Sequence, residues 1–375
     1  MSGKNILITG ATGFVGAHLL DKLAREKDVG QIFVLCRAGQ GQLPIARVSE
    51  AFHRFCLNDA GIADRLHAVK GDISEKRLGL SESDYKTVCE KIDVIYHVAA
   101  RVNHVLPYQA LKAANVDSTA ELMKIAITDK QKILNFVSTF GSASRRDEKG
   151  KFVEAFPDDS MLESDMGYLL SKWASEKLLK KFNDAGFGTN IFRLGYVTGH
   201  RESGVSLSDD NQLMLLIKSC IQLGYAPRLP RLINMTPVDA AAEVMAVTEF
   251  RERAGQVLNI ANTTEYISWE EIIEWLNDSG YAIQLLEFCE WQSKIRHITE
   301  ENALFKFLPL YSRADAEQKV LRFGKNITQY HTDESSKLIR KYGIDMPKVK
   351  YELLDKYFRY LRKIAFIPDA AAVTT

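Results

Sequence analysis

Ile6-Leu7-Ile8-Thr9-Gly10-Ala11-Thr12-Gly13-Phe14-Val15-Gly16 decides the fold. The apolar run Ile6 to Thr9 reads as a strand, and a helical pattern follows the glycines, from His18 to Lys27. A second apolar run, Ile32 to Cys36, ends at Arg37. Strand, glycine turn, helix and strand in that order form a β-α-β unit. Its glycines permit a tight turn and a close approach of backbone to a pyrophosphate, which then sits on the helix N-terminus. Three spaced glycines alone are a weak pattern; the flanking strand and helix signals make it specific. The turn itself, Gly10, Thr12, Gly13, Phe14, Val15 and Gly16, is therefore expected to hold a dinucleotide. The residue closing the second strand selects which one. An acid accepts from a ribose hydroxyl, whereas an arginine suits a 2′-phosphate. Arg37, helped by Arg47 from the next helix, points to NADPH.

Working outward, strand and helix signals alternate. A helix is expected around Arg47 to Asp59, strands at Leu66 to Lys70 and Val94 to Val98, and a helix from Tyr108 to about Thr128. Strand Ile133 to Ser138, helix Met166 to Asn183 and strand Asn190 to Leu194 follow. This βαβα rhythm predicts an α/β fold, a doubly wound parallel sheet with helices on both faces. Ligands of such sheets bind beyond the carboxyl ends of the strands. Asp72 and Ile73, Ala99 and Ala100, Ser138 and Thr139, and Leu194, Gly195 and Val197 all stand at or just past such ends. Residues 1–200 are expected to form the cofactor domain, with a strand returning near 257–260, and residues 201–375 a smaller, mainly helical substrate lobe. Its last helix, Tyr351 to Ile364, carries an apolar stripe of Tyr351, Leu354, Phe358 and Leu361 beside a basic face. Residues from Asp369 to Thr375 read as a frayed tail.

Composition narrows the class. A chain of 375 residues with 46% hydrophobic content and a formal net charge of +1 is that of a globular protein, with no electrostatic case for nucleic acid or a membrane surface. Five scattered cysteines suggest neither a disulfide framework nor a zinc site, and eight histidines without ligand spacing predict no metal. His97 and His104 read as crevice or core residues. No apolar run approaches the ~20 residues of a membrane span, and the first strand begins too early for a signal peptide. A cytoplasmic location is the expectation.

Tyr168-Leu169-Leu170-Ser171-Lys172 places a phenol and an ammonium four residues apart on one helix face. The cation is expected to lower the phenol's pKa and tune it as a proton donor. Tyr108-Gln109-Ala110-Leu111-Lys112 has the same spacing. Position separates them: the strand before the Tyr168 helix ends in Ser138-Thr139, whereas no hydroxyl-bearing strand precedes Tyr108. Tyr168 and Lys172 read as catalytic, with Thr139 beside them.

The glycine pattern, the strand-end Ser-Thr and the Tyr-x-x-x-Lys together resemble an extended short-chain dehydrogenase/reductase. The resemblance implies a catalytic triad of Thr139, Tyr168 and Lys172. Arg193-Leu194-Gly195-Tyr196-Val197 is similar to that superfamily's cofactor segment, Asn115-Val116 to the Asn-Val of its fourth helix, and Thr236-Pro237-Val238-Asp239 to its later Pro-Val-Asp element. The stretches Ala100 to Tyr108 and Lys218 to Gly224 resemble thioester reductase domains more narrowly. One departure is Leu207, where many relatives carry a polar Asn. The resemblance implies NADPH-dependent release of a carrier-bound acyl thioester as an aldehyde or alcohol. It also implies an acylated phosphopantetheine carrier protein or domain as partner, in cis or in trans. The rival readings are a nucleotide-sugar epimerase or dehydratase, which usually prefers NAD, a fatty acyl-CoA reductase, and a non-catalytic NADPH-sensing scaffold. Oligomeric state, a monomer included, stays open.

Overall fold

The structure, a computed structural model, describes residues 3–37, 43–209, 211–317, 327–347 and 350–370. Two compact units divide the chain. The first comprises Met1–Gly195, Val238–Ala261 and Tyr330–Asp345; the second comprises Tyr196–Pro237, Asn262–Gln329 and Met346–Thr375.

The first unit is built on strands β1 (Lys4–Thr9), β2 (Val29–Cys36), β3 (Leu66–Lys70), β4 (Val94–His97), β5 (Ile133–Thr139) and β6 (Thr189–Leu194). Val257–Ile260 returns to the sheet as an edge strand. All pairings are parallel, in the spatial order Val257–Ile260, β6, β5, β4, β1, β2, β3. Strands covered on both faces need no polar alternation, and Ile6, Leu7 and Ile8 are all fully buried. The order reverses beside β1, between β2 and β4. Such switch points open a crevice past the strand ends. Helices α1 (Phe14–Arg25), α2 (Pro44–Arg54), α3 (Glu82–Lys91), α4 (Tyr108–Lys112), α5 (Ser118–Ile127) and α6 (Gly167–Asp184) connect the strands.

Three differences from the sequence expectation have local causes. Helix α1 starts at Phe14, directly after the turn, because Gly13 serves as its N-cap. Helix α3 is absent from the expected elements; its apolar content is low, but Ser81 accepts from the Asp84 amide and caps it. The segment Tyr108 to Thr128 is not one regular helix, since a π turn at Ala113–Asp117 separates α4 from α5.

The second unit packs helices Gln212–Leu223, Trp269–Asp278, Phe288–Ile295 and Lys350–Lys363 around Trp269, Trp291, Tyr357 and Phe358. It also holds short strand pairs that the mainly helical expectation left out. Tyr225–Pro227 runs parallel to Gln284–Leu286, and Leu232–Ile233 antiparallel to Ile267–Ser268. Strands of two or three residues carry no readable period. On the last helix Leu353, Leu354, Tyr357, Phe358 and Leu361 are buried, whereas Tyr351 is exposed. Asp210 and residues 371–375 of the expected tail lie outside the described residues. Among the described residues no helix is long and apolar enough to cross a membrane.

Candidate active site

The glycine turn is dictated by close approach. Gly10 has φ +78°, and a Cβ there would lie 2.5 Å from the Ala99 amide nitrogen. A Cβ on Gly16 would lie 2.0 Å from the Gly10 carbonyl oxygen. Any side chain at either position would push α1 away from β1 and β4. Gly13 is exposed, and the first turn of α1 carries neither a capping side chain nor an acid. The helix therefore presents bare amides, a favourable seat for an anion. Thr12 and Val15 beside it are half-buried. Phe14 is buried against His18 and Phe55, so only its backbone faces the turn.

A buried relay fixes the strand ends around this turn. The Ala99 amide donates to Thr9 Oγ1 (3.2 Å), which is 2.8 Å from His97 Nδ1; His97 Nε2 is 3.2 Å from Ser118 Oγ, and that hydroxyl donates to the Ala114 carbonyl (2.6 Å). Burial, with Lys172 nearby, pushes the His97 pKa down to about 3, so the ring is neutral. With Ser118 already donating to Ala114, the consistent arrangement is a neutral imidazole donating from Nε2 and accepting at Nδ1. His97 is a structural histidine of the core.

At the end of β2, Arg37 is exposed, and Arg47 Nη1 donates to its carbonyl oxygen (2.8 Å). Two guanidinium groups thus belong to one corner of the sheet. Residues 38–42, between them, lie outside the described residues. Past β3, Asp72 Oδ1 accepts from the Ser74 amide (2.9 Å) and hydroxyl (2.7 Å), and Ile73 is half-buried. Burial would raise the Asp72 pKa, but those hydrogen bonds and the charge of Arg37 outweigh it and hold the carboxyl below its usual range.

The three residues read as a triad come from two elements that are tied together. Thr139 ends β5; Tyr168 and Lys172 lie one turn apart on α6. Lys172 is buried, and its Nζ donates to the Val137 carbonyl of β5 (2.7 Å) and stands 4.4 Å from the centre of the Phe136 ring. That bond fixes the start of α6 against the end of β5. Thr139 and Tyr168 are half-buried, and neither hydroxyl is hydrogen-bonded to another described residue. The His104 ring meets Tyr168 edge-on at 5.8 Å.

The electrostatics correct one expectation. Lys172 does not lower the Tyr168 pKa; burial pushes it up to about 12. Burial also brings Lys172 down to about 7, against the pull of Glu176. Desolvation penalises both charged forms and is the largest cause of both shifts. At neutral pH Tyr168 is a neutral phenol with a proton to give.

Behind this pair lies a charge cluster that sequence reading missed. Glu176, one further turn along α6, and Arg193 on β6 are both fully buried and pair at 2.7 Å. Ser138 Oγ and Ser142 Oγ each lie 2.6 Å from Glu176 Oε1, and Arg193 also donates to the Val153 and Ala155 carbonyls (3.1 Å each). Ser138 therefore spends its hydroxyl on Glu176, leaving Thr139 as the free alcohol at the strand end. An arginine set between Phe192 and Leu194 in a strand of a sheet covered on both faces was the signal available.

Asn115, in the π turn, is buried and fully engaged. Its Oδ1 accepts from the Arg101 amide (2.7 Å), and its Nδ2 donates to Ser171 Oγ (2.9 Å) and the Arg101 carbonyl (3.2 Å). It pins the segment after β4, where Ala99 and Ala100 are half-buried, to α6. Leu194 is buried and the Gly195 amide donates to Ile260 (3.0 Å). Val197 belongs to the second unit, in strand Val197–Thr198. The second Tyr-x-x-x-Lys is built differently: Lys112 is exposed and turned to Asp117 (2.5 Å).

Residues 8–245 match the model of a family described as Male sterility protein, a family of NAD-binding domains. A linear gramicidin synthase polypeptide of Brevibacillus parabrevis is 32% identical over 365 residues, 95% of this chain but 7% of that protein. The large subunit of L-2-aminoadipate reductase from Candida glabrata is 31% identical over 327 residues, 81% of this chain and 24% of that protein. The chain thus spans a quarter or less of these two relatives. Among solved structures, the terminal R domain of the myxalamid PKS-NRPS biosynthetic pathway superposes with a TM-score of 0.85 at 28% identity, covering 98% of this chain and 93% of that one.

Proposed function

The chain belongs to the Male sterility protein family of NAD-binding domains, as an oxidoreductase of the short-chain dehydrogenase/reductase type that takes a nicotinamide cofactor, and we propose that it uses NADPH to release a carrier-bound acyl thioester by reduction. The observation that carries this reading is that Thr139 and Tyr168, whose hydroxyls bond to no other described residue, lie on the two elements that the buried Lys172 ties together. The likeness to a myxalamid-pathway R domain, and to relatives named as a gramicidin synthase and an aminoadipate reductase, supports the thioester class.

The residues fit the cofactor. The bare N-terminus of α1, capped by the exposed Gly13 and held close to β1 and β4 by Gly10 and Gly16, suits a pyrophosphate. Arg37 and Arg47 suit a 2′-phosphate, which favours NADPH over NADH. When bound, the reduced nicotinamide supplies the hydride.

The chain's own groups do the rest. Thr139 and Tyr168 donate to the carbonyl oxygen of the thioester and stabilise the charge that grows there. Tyr168, protonated up to high pH, delivers its proton to that oxygen. The resulting thiohemiacetal breaks its C–S bond, its hydroxyl proton going to the departing thiolate, to leave an aldehyde and the free carrier thiol. Lys172, one helical turn from Tyr168, fixes the start of α6 against β5 through the Val137 carbonyl and so holds the phenol in place. Glu176 favours the charged form of Lys172. The second unit is assigned to substrate binding, and the acyl group arrives on a phosphopantetheine thiol.

Incubation with NADPH and a panel of acyl-carrier and acyl-CoA thioesters, followed by mass spectrometry, tests the reading. NADPH oxidation matched by aldehyde or alcohol is expected. Cofactor binding with every thioester left intact would overturn it. Replacing Arg37 by Ala should weaken NADPH by about 10- to 100-fold and NADH far less, in line with the loss of one charge-assisted contact. Equal loss for both cofactors, measured by fluorescence titration, would remove Arg37 from phosphate recognition.

A further inference from the structure

Arg231 is a half-buried cation with no counter-ion among the described residues. It lies in the second unit, just before strand Leu232–Ile233, and its backbone is held on both sides: its amide donates to the Leu229 carbonyl (2.7 Å), and its carbonyl accepts from the Trp269 amide (3.0 Å). The side chain is half-buried overall, but Nε is fully buried and has no hydrogen-bond partner. Among the described residues no carboxylate or carbonyl bonds to this guanidinium. The Tyr196 ring lies 4.9 Å from its central carbon. Burial lowers its pKa, and the ionisable neighbour that opposes this is a phenol, Tyr311, not an acid.

The neighbouring phenol is held by neutral groups. Tyr311 is in edge contact with Trp291 (5.4 Å), its hydroxyl accepts from Gln212 Nε2 (3.2 Å), and its carbonyl accepts from Gln292 Nε2 (2.7 Å). Other arginines of the chain are handled differently. Arg228, three residues earlier, pairs with Glu287 at 3.2 Å, and buried Arg251 pairs with Asp28 at 2.6 Å. At Nε the hydration lost on folding is not replaced by any hydrogen bond, which is unfavourable for a donor of a charged group. A guanidinium is also the group best shaped to grip a planar carboxylate or a phosphate with two parallel hydrogen bonds.

We propose that Arg231, backed by Tyr196 and Tyr311, forms an anion-binding site in the second unit that takes an oxyanion (phosphate or carboxylate) carried by the thioester substrate, an inference that rests on the reductase reading. The oxyanion completes the guanidinium that the fold leaves unpaired. Two parts of such a substrate can supply it: the phosphate of a phosphopantetheine arm, or a carboxylate on the acyl group.

The test compares thioesters that differ only in the anion. Acyl-phosphopantetheine is set against acyl-pantetheine, and an ω-carboxyacyl group against its neutral methyl ester, using the wild-type protein, Arg231→Met and Arg231→Lys. The wild type is expected to prefer one anionic member, and Arg231→Met to reduce that preference in kcat/KM by about 10- to 100-fold, mainly through KM, the effect of losing hydrogen bonds to a charged group. Arg231→Lys, which keeps the charge and loses the fork, falls between. Loss of preference in the phosphate pair identifies the arm, and in the carboxylate pair the acyl group. A preference unchanged in Arg231→Met, or absent from the wild type, overturns the proposal while leaving the reductase reading intact. If the wild type reduces no thioester at all, the reductase reading fails instead. Calorimetric titration with phosphopantetheine and with glutarate then decides the site alone: binding lost in Arg231→Met supports it, and binding equal in both proteins, or absent, refutes it.

Discussion

Arg193, fully buried in the first unit, and Arg231, half-buried with a sealed Nε in the second, are treated by the fold in opposite ways. Arg193 is surrounded: Glu176 neutralises it, and the Val153 and Ala155 carbonyls take its remaining protons. Arg231 has an aromatic wall and no paired acid among the described residues. The first arrangement joins β6, α6 and the loop before α6, and so steadies Lys172 and Thr139. The second makes an aromatic contact with Tyr196 and, among the described residues, no hydrogen bond from its guanidinium. A buried charge completed by the protein is scaffolding; one left incomplete points to something that completes it.

The comparison can be broken by stability measurements, where the largest effect is expected. Arg193→Met strands the Glu176 carboxylate in the core and should cost about 3–5 kcal/mol, a large share of the stability of an ordinary domain. Arg231→Met removes an uncompensated charge and should leave the chemical-denaturation midpoint unchanged or raised. Equal losses for the two variants would show that Arg231 is structural after all.

Glu176→Gln sharpens the comparison by removing charge while keeping shape. The carboxylate favours the ammonium of Lys172, whose pKa burial has brought down to about 7. The ammonium is present below that pH and lost above it, so kcat/KM of the wild type should fall as pH rises through about 7. Without the carboxylate the Lys172 pKa drops further, and the same limb should move to lower pH by roughly one unit or more. A pH–rate profile identical in the two proteins would detach Glu176 from the chemistry.

The smallest effect belongs to the exposed counterpart. Lys112 pairs with Asp117 on the surface, and Lys112→Met should change stability by less than about 1 kcal/mol and leave thioester reduction as it was. A large loss of activity would mean that the second Tyr-x-x-x-Lys had been misread.

Much of the first unit was legible because its signals are local. An apolar run, three spaced glycines and a helical period place β1 and α1 without knowledge of the rest, and parallel strands then put Asp72, Ala99, Thr139 and Gly195 near one edge. Tyr168 was separable from Tyr108 by what precedes each helix. The charge states were not legible. Tyr168 and Lys172 stand four apart in any helix, but whether attraction or desolvation dominates depends on burial by β5. Glu176 reads as one more acid on a lysine-rich helix until β6 brings Arg193 against it. Arg231 carries no motif at all; only the tertiary arrangement shows that it lacks a partner. In the second unit, two-residue strands left no period to read.

The central claim is that Tyr168 gives its proton to a carbonyl oxygen beside a reduced nicotinamide. The direct measurement is single-turnover oxidation of NADPH by an acyl-phosphopantetheine thioester, in the wild type and in Tyr168→Phe, with NADPH affinity measured on the same samples. The rate should fall by about 10²- to 10⁴-fold while cofactor affinity stays within a small factor, the loss expected for a general acid. A variant that reduces the thioester at the wild-type rate would contradict the account.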